Sequence, residues 1–159
     1  MSTNVHEIKP GRGLGQIKFG MSTAQVKDII GEPDEVETYA YESEEGELSE
    51  TWHYDNLELS LSFDEEENWR LVSIALSSPE ATIKGQRLIG LNRNDLIKRL
   101  ETLELGPLNF EDWSSAESPD HKLISADEVE VNFWLDEEEL SEIQFGPLFD
   151  DEDNIQWPE

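Results

Sequence analysis

The apolar residues of this chain follow two periods in turn, and they do so twice. Val26, Ile29 and Ile30 fall at the spacing of one helix face, as do Leu96, Ile97 and Leu100. Each group predicts a short helix with a single buried stripe. Ser22 with Gln25, and Asn92 with Asp95, supply N-cap signals just ahead of these stripes, because a side-chain oxygen there accepts from an otherwise orphaned backbone N–H. Gly31 and Pro33 stop the first helix.

Downstream of each helix the period changes to two. Leu57, Leu59, Leu61 and Phe63 alternate with Glu58, Ser60 and Ser62, and Val129, Val131, Phe133 and Leu135 alternate with Glu130, Asn132 and Trp134. This is the pattern of an antiparallel strand buried on one face. Ser49 to Tyr54 and His121 to Ser125 are strand candidates before these runs, and Leu71 to Leu76 and Leu140 to Phe145 follow them. An Asp-Glu-Glu-Glu block, Asp64 to Glu67 and again Asp136 to Glu139, then falls between two strands of a hairpin. Asn68 to Arg70 make the first copy three residues longer.

The halves superimpose as a repeat: Gly20 lies over Gly90, Met21 over Leu91, Val26 over Leu96 and Ile30 over Leu100. The expected fold is α+β, with two tandem helix-plus-three-antiparallel-strand units. Their six main strands are expected in one curved sheet or two abutting sheets, with the helices on one face. Residues 1–80 form the first unit and 81–159 the second, ending in an acidic tail, within a single structural domain. Residues 77–86 read as the linker and Gly11 to Gly15 as a flexible lead-in.

Ile17 to Glu35, "IKFGMSTAQVKDIIGEPDE", has a strand-like lead, Gly-Met-Ser, a capped helix and then Gly-x-Pro. In this it resembles the repeat shared by β-lactamase-inhibitor proteins and the small lipoproteins of the outer-membrane assembly machinery. The resemblance implies a sheet that binds protein. The sequence departs from those lipoproteins in showing no apolar run of signal-peptide type and no anchoring cysteine, and from the secreted inhibitors in having no cysteine for disulfides. In size and acidity it also resembles bacterial immunity proteins that neutralise basic toxins.

Charge narrows the partners. Across 159 residues, 38 acidic and 11 basic side chains leave a net charge of −27. Such a surface disfavours nucleic acid and anionic membranes and favours a basic protein partner, possibly a toxin; a salt-adapted proteome would show the same surplus. Without cysteine there is no thiolate zinc site and no cysteine nucleophile. No apolar run is long enough for a membrane span or signal peptide, so the expected location is cytoplasmic. The expected state is a monomer or homodimer.

No nucleophile elbow, zinc helix or P-loop is present, and His6, His53 and His121 lie far apart in sequence. Neither the Asp-Glu-Glu-Glu blocks nor Asp150 to Asn154 has the glycine and the alternation of a calcium loop. The expectation is therefore a non-enzymatic protein-binding module with no cofactor and no metal. Its candidate contact residues are Trp134, Trp69, His53, Glu58, Glu130, Asn132 and Tyr41. Trp134 has the parity of Glu130 and Asn132 and should project from the polar face, and Trp is enriched at interface hot spots. The alternatives are a nucleic-acid mimic occupying the DNA site of a nuclease or repressor, and a metal-dependent enzyme or hydrolase using His53 and Glu58.

Overall fold

A computed structural model describes residues 6–40, 48–116, 121–152 and 154–157, with backbone alone at 39–40. The chain opens with three short strands, β1 (Glu7–Lys9), β2 (Gly13–Leu14) and β3 (Ile17–Lys18), before helix α1 (Thr23–Ile30). Four strands follow: β4 (Glu35–Ala40), β5 (Leu48–Tyr54), β6 (Leu59–Asp64) and β7 (Arg70–Leu76). A small hairpin, β8 (Thr82–Ile83) and β9 (Gln86–Arg87), leads into α2 (Arg93–Thr102). Four more strands complete the second half: β10 (Asn109–Asp112), β11 (His121–Ala126), β12 (Val131–Asp136) and β13 (Glu139–Phe145). The chain closes on the hairpin β14 (Leu148–Phe149) and β15 (Ile155–Gln156).

The expectation of two helix-plus-three-strand units is wrong. Each half contributes a helix and four strands, and the eight strands form one antiparallel sheet in the order β10-β11-β12-β13-β7-β6-β5-β4. The missed members, β4 and β10, are its two edges. All four residues of β10 are exposed, and an edge strand with no buried face carries no apolar alternation for a pattern to register. The lead-in and the linker are not loops either. They form a second, five-stranded sheet, β3-β2-β1-β8-β9, in which β1 and β8 pair in parallel and tie the two halves together.

The helices start where their caps place them. Ser22 Oγ accepts from the Gln25 amide at 3.2 Å while Gln25 Oε1 accepts from the Ser22 amide at 2.9 Å. Asn92 Oδ1 accepts from the Asp95 amide at 2.9 Å. Val26, Leu96 and Leu100 point inward to the core cluster. Each helix lead is also clipped to the last strand of its own half. The Gly20 amide donates to the Leu71 carbonyl at 3.0 Å and the Leu71 amide to Met21 at 2.9 Å. Gly90, Leu140 and Leu91 repeat this at 2.9 Å for both bonds.

Strand parity gives the sheet two unlike faces. Leu59, Leu61 and Phe63 on β6, and Val131, Phe133 and Leu135 on β12, are all buried in one cluster with the inward helix residues. The halves meet where β7 pairs β13, with Ile74 opposite Phe145, Ala75 opposite Gln144 and Leu76 opposite Ile143. Phe19 packs edge-on to Phe145 at 5.7 Å across this seam. The other face carries Ser60, Ser62, Ser73, Ala75, Asn132, Trp134, Glu142 and Gln144, none of them fully buried.

Both Asp-Glu-Glu-Glu blocks lie at hairpin turns, by different geometries. Glu65–Glu67 form one 3-10 turn, with Asn68 and Trp69 in the left-handed region. Glu137 and Glu138, with φ of 52° and 68°, make a two-residue turn whose twist matches that of the strands.

Candidate functional site: the outer face of the sheet

Register sets the layout of the outer face. On the second half, Leu123 of β11, Trp134 of β12 and Glu142 of β13 stand side by side across the ladder. Trp134 holds its place through its indole Nε1, which donates to Gln144 Oε1 at 3.2 Å. The ring of His121 lies parallel to that of Trp134, at 5.0 Å and 8°. Trp113 meets Trp134 edge-on, at 5.7 Å and 71°. The Trp113 amide donates to the His121 carbonyl at 2.8 Å, which fixes the residue just past the end of β10. Trp113 remains 53% exposed.

Acids border this aromatic corner. Glu142 is half-buried, and its carboxyl sits above the usual range because burial disfavours the charged form, with nearby His121 pulling the other way. Among the described residues no Lys or Arg comes within ion-pairing distance of Glu142. Asp136 lies opposite His121 in the ladder and Glu111 opposite Leu123.

Glu142 also lines a groove of about 290 Å³ with His53, Asp55, Glu58, Ser60 and Ser77. Here His53 Nδ1 is 2.8 Å from Ser60 Oγ, and Nε2 is 3.0 Å from Glu37 Oε1 without the alignment of a hydrogen bond. The order carboxylate, imidazole, hydroxyl matches a nucleophilic relay in composition. However, Ser60 lies mid-strand between His53 and Ala75, so its backbone is committed to the ladder and does not present a strained, exposed nucleophile. The row reads as a cross-strand polar ladder. A larger groove, about 490 Å³, is lined by Asp64, Glu66 and Glu67 together with Pro147, Phe149 and Ile155 of the C-terminal segment. Gln144 lines this groove as well as anchoring Trp134, which makes the two areas adjacent.

The structure brings together only some of the residues the pattern singles out. Trp134, Asn132 and His53 are on the outer face. Glu58 and Glu130 are not on strands. Each ends a 3-10 turn in the left-handed region, with φ of 51° and 54°. Their carbonyls accept from the Ser77 and Gly146 amides at 2.9 and 3.1 Å, so both residues hold strands together. Burial, with Asp127 nearby, raises the Glu130 carboxyl above its usual range. Trp69 is half-buried against the core rather than displayed. Tyr41 lies outside the described residues. Pattern reading misses Trp113, His121, Glu142 and Gln144. The parity of His121 with Leu123 on one strand was available as a signal, but its stacking on Trp134 depends on the register between β11 and β12.

Among the described residues, no group of three or more His, Asp or Glu side chains converges to hold a metal ion. Asp150 instead turns its own chain, Oδ1 accepting from the amides of Glu152 and Asn154 at 2.8 and 3.0 Å. No described helix is long and apolar enough to cross a membrane.

No family model matches the chain, and neither does any curated protein. It is similar to a solved structure, an extracellular protein containing a SCP domain from Bacillus anthracis str. Ames, at 15% identity and a TM-score of 0.44. That match covers 88% of this chain, which spans half the length of the other.

Proposed function

We propose that this protein is a non-enzymatic binding module, of inhibitor or immunity type, whose outer sheet face engages a basic partner protein. The observation that carries this is the pair Trp113 and Trp134, held outward on the face opposite the helices and bordered by Glu111, Asp136 and Glu142. Large aromatics ringed by charge are the composition of an interface hot spot. The net charge of −27 supplies the long-range attraction and makes association with a basic partner fastest at low salt. Self-repulsion of two such chains favours a monomer before the partner arrives.

The test is capture of basic proteins from the source cell at low and moderate salt, run in parallel with wild type and with Trp134→Ala. A partner retained by wild type, weakened by salt and lost with Trp134→Ala supports the reading. A partner indifferent to Trp134→Ala, or none at either salt concentration, overturns it.

A further inference from the structure

The exposed aromatic corner differs in one respect from three other aromatic rings of the chain, those of Trp52, Phe110 and Trp157. Lys27 lies over the Trp52 ring at 5.4 Å, Arg70 over Trp157 at 5.4 Å and Arg93 over Phe110 at 5.9 Å. Cations are scarce here, 11 against 38 acids, yet three of these aromatic rings have one of the chain's own seated on them. Among the described residues no Lys or Arg is seated on Trp113 or Trp134, although Trp113 is 53% exposed. The carboxylate beside them, Glu142, also has no Lys or Arg of the chain within ion-pairing distance among the described residues.

From this the geometry points to a seat for an arginine side chain of the partner, formed by Trp113 and Trp134 as the stacking surface and Glu142 as the counter-charge. This rests on the docking reading above and names the chemistry of one contact within it. The site takes a flat cation. His121 already covers one face of Trp134, plane on plane at 8°, so the surface left for an incoming planar group is chiefly the ring of Trp113, which is half exposed. A guanidinium stacks on an indole face while presenting its N–H groups in-plane to a carboxylate. An ammonium is a compact, strongly hydrated point charge that gains less from a flat surface. The charge complementarity is one-sided: Glu111, Asp136 and Glu142 surround the corner, and Lys122 beside it is drawn to Glu138 at 3.1 Å.

The experiment uses the full chain, 15N-labelled, and two probes of equal charge, the blocked hexapeptides Ac-(Gly-Arg)3-NH2 and Ac-(Gly-Lys)3-NH2. The Trp113 and Trp134 indole N–H resonances are assigned with Trp113→Phe and Trp134→Phe. The expected result is a saturable shift of both indoles by the arginine peptide, with about two- to fivefold tighter binding than the lysine peptide. Trp113→Ala should abolish that preference, and Glu142→Gln should weaken both peptides. Equal affinities, or binding that leaves both indoles unmoved, overturn the arginine seat. If either occurs while a basic protein is still captured by wild type and lost with Trp134→Ala, the seat alone fails and the docking face stands. Absence of any captured protein removes both.

Discussion

Phe133 and Trp134 are neighbours on β12 that face opposite ways, so truncating each in turn tests the face assignment on which the site depends. Phe133 is 0% exposed and stands between Ile124 and Ile143 in the ladder. Its replacement by Ala opens a cavity among buried side chains and costs about 3–5 kcal/mol. Trp134 loses one hydrogen bond, to Gln144 at 3.2 Å, and two ring contacts, with His121 and Trp113. The hydrogen bond contributes about 1 kcal/mol and each ring contact about 0.5–1.5 kcal/mol. Water reaches the half-exposed partners once the indole is gone, so the net cost of Trp134→Ala falls to about 1–2 kcal/mol. Urea unfolding followed by far-UV circular dichroism measures both without relying on tryptophan emission. At about 2–4 °C per kcal/mol for a chain of this size, Phe133→Ala lowers Tm by about 6–20 °C and Trp134→Ala by about 2–8 °C. The denaturant slope should be unchanged in either variant. A Trp134→Ala penalty equal to that of Phe133→Ala would put the indole in the core and remove the docking site with it.

Glu142→Gln should stabilise the protein at neutral pH. Because the folded-state pKa is raised, the wild type loses stability as pH climbs through that raised value, and the two proteins should converge at pH below the ordinary carboxylate range; pH-resolved thermal melts check this, and a destabilised Gln variant at pH 7 would contradict it. Burial, with Asp34 nearby, pushes the Tyr54 hydroxyl up to about 12, and it donates to the Gly31 carbonyl at 2.8 Å. Its contribution is therefore complete below the ordinary tyrosine pKa near 10 and disappears as pH rises towards 12. Tyrosinate absorbance should show this late-titrating group, which Tyr54→Phe removes. Gly20→Ala and Gly31→Ala both impose a positive φ, 92° and 84°, on a side chain, but only at Gly20 would the new Cβ meet another group, Trp157 Cε3 at 2.9 Å. Each should cost about 1–3 kcal/mol of backbone strain, and a larger loss of Tm at Gly20 would measure the docking of the C-terminal segment.

What could be read from the sequence is what is local or buried. Ser22 and Asn92 act on amides three residues away, and Leu59 to Phe63 must alternate because one side of β6 has no access to water, so both signals are written along the chain itself. β4 and β10 left no such trace. Asn109 to Asp112 bury nothing, and their pairing with β11 is decided by the neighbouring strand. The alternation through Leu57 and Glu58, and through Val129 and Glu130, runs on into turns, because a 3-10 turn followed by a left-handed residue can carry the same apolar spacing as a strand. Trp69 looks like a displayed residue in a turn, but its φ of 60° belongs to a backbone that returns the ring to the core. The outward direction of Trp134 follows from parity alone. The corner it forms does not, because Trp113, His121 and Glu142 arrive from three other segments.

The two halves of the sheet provide an internal comparison for that corner. At matching inner positions both halves are apolar, Leu61 with Phe133 and Ile74 with Ile143, as one shared core demands. At matching outer positions they part. Trp134 stands opposite Glu142 where the first half has Ser62 opposite Ser73, His121 stands where Ser49 does, and Gln144 where Ala75 does. Serines therefore satisfy the strand geometry at these places, so the fold does not require the indole, the imidazole or the carboxylate. The carboxylate works against folding, since burial raises its pKa and makes the charged form unfavourable. A group that the sheet can do without and that costs stability when ionised is not explained by packing. In the proposed arginine seat, a cation arriving from outside would add to the partial offset that His121 already gives Glu142.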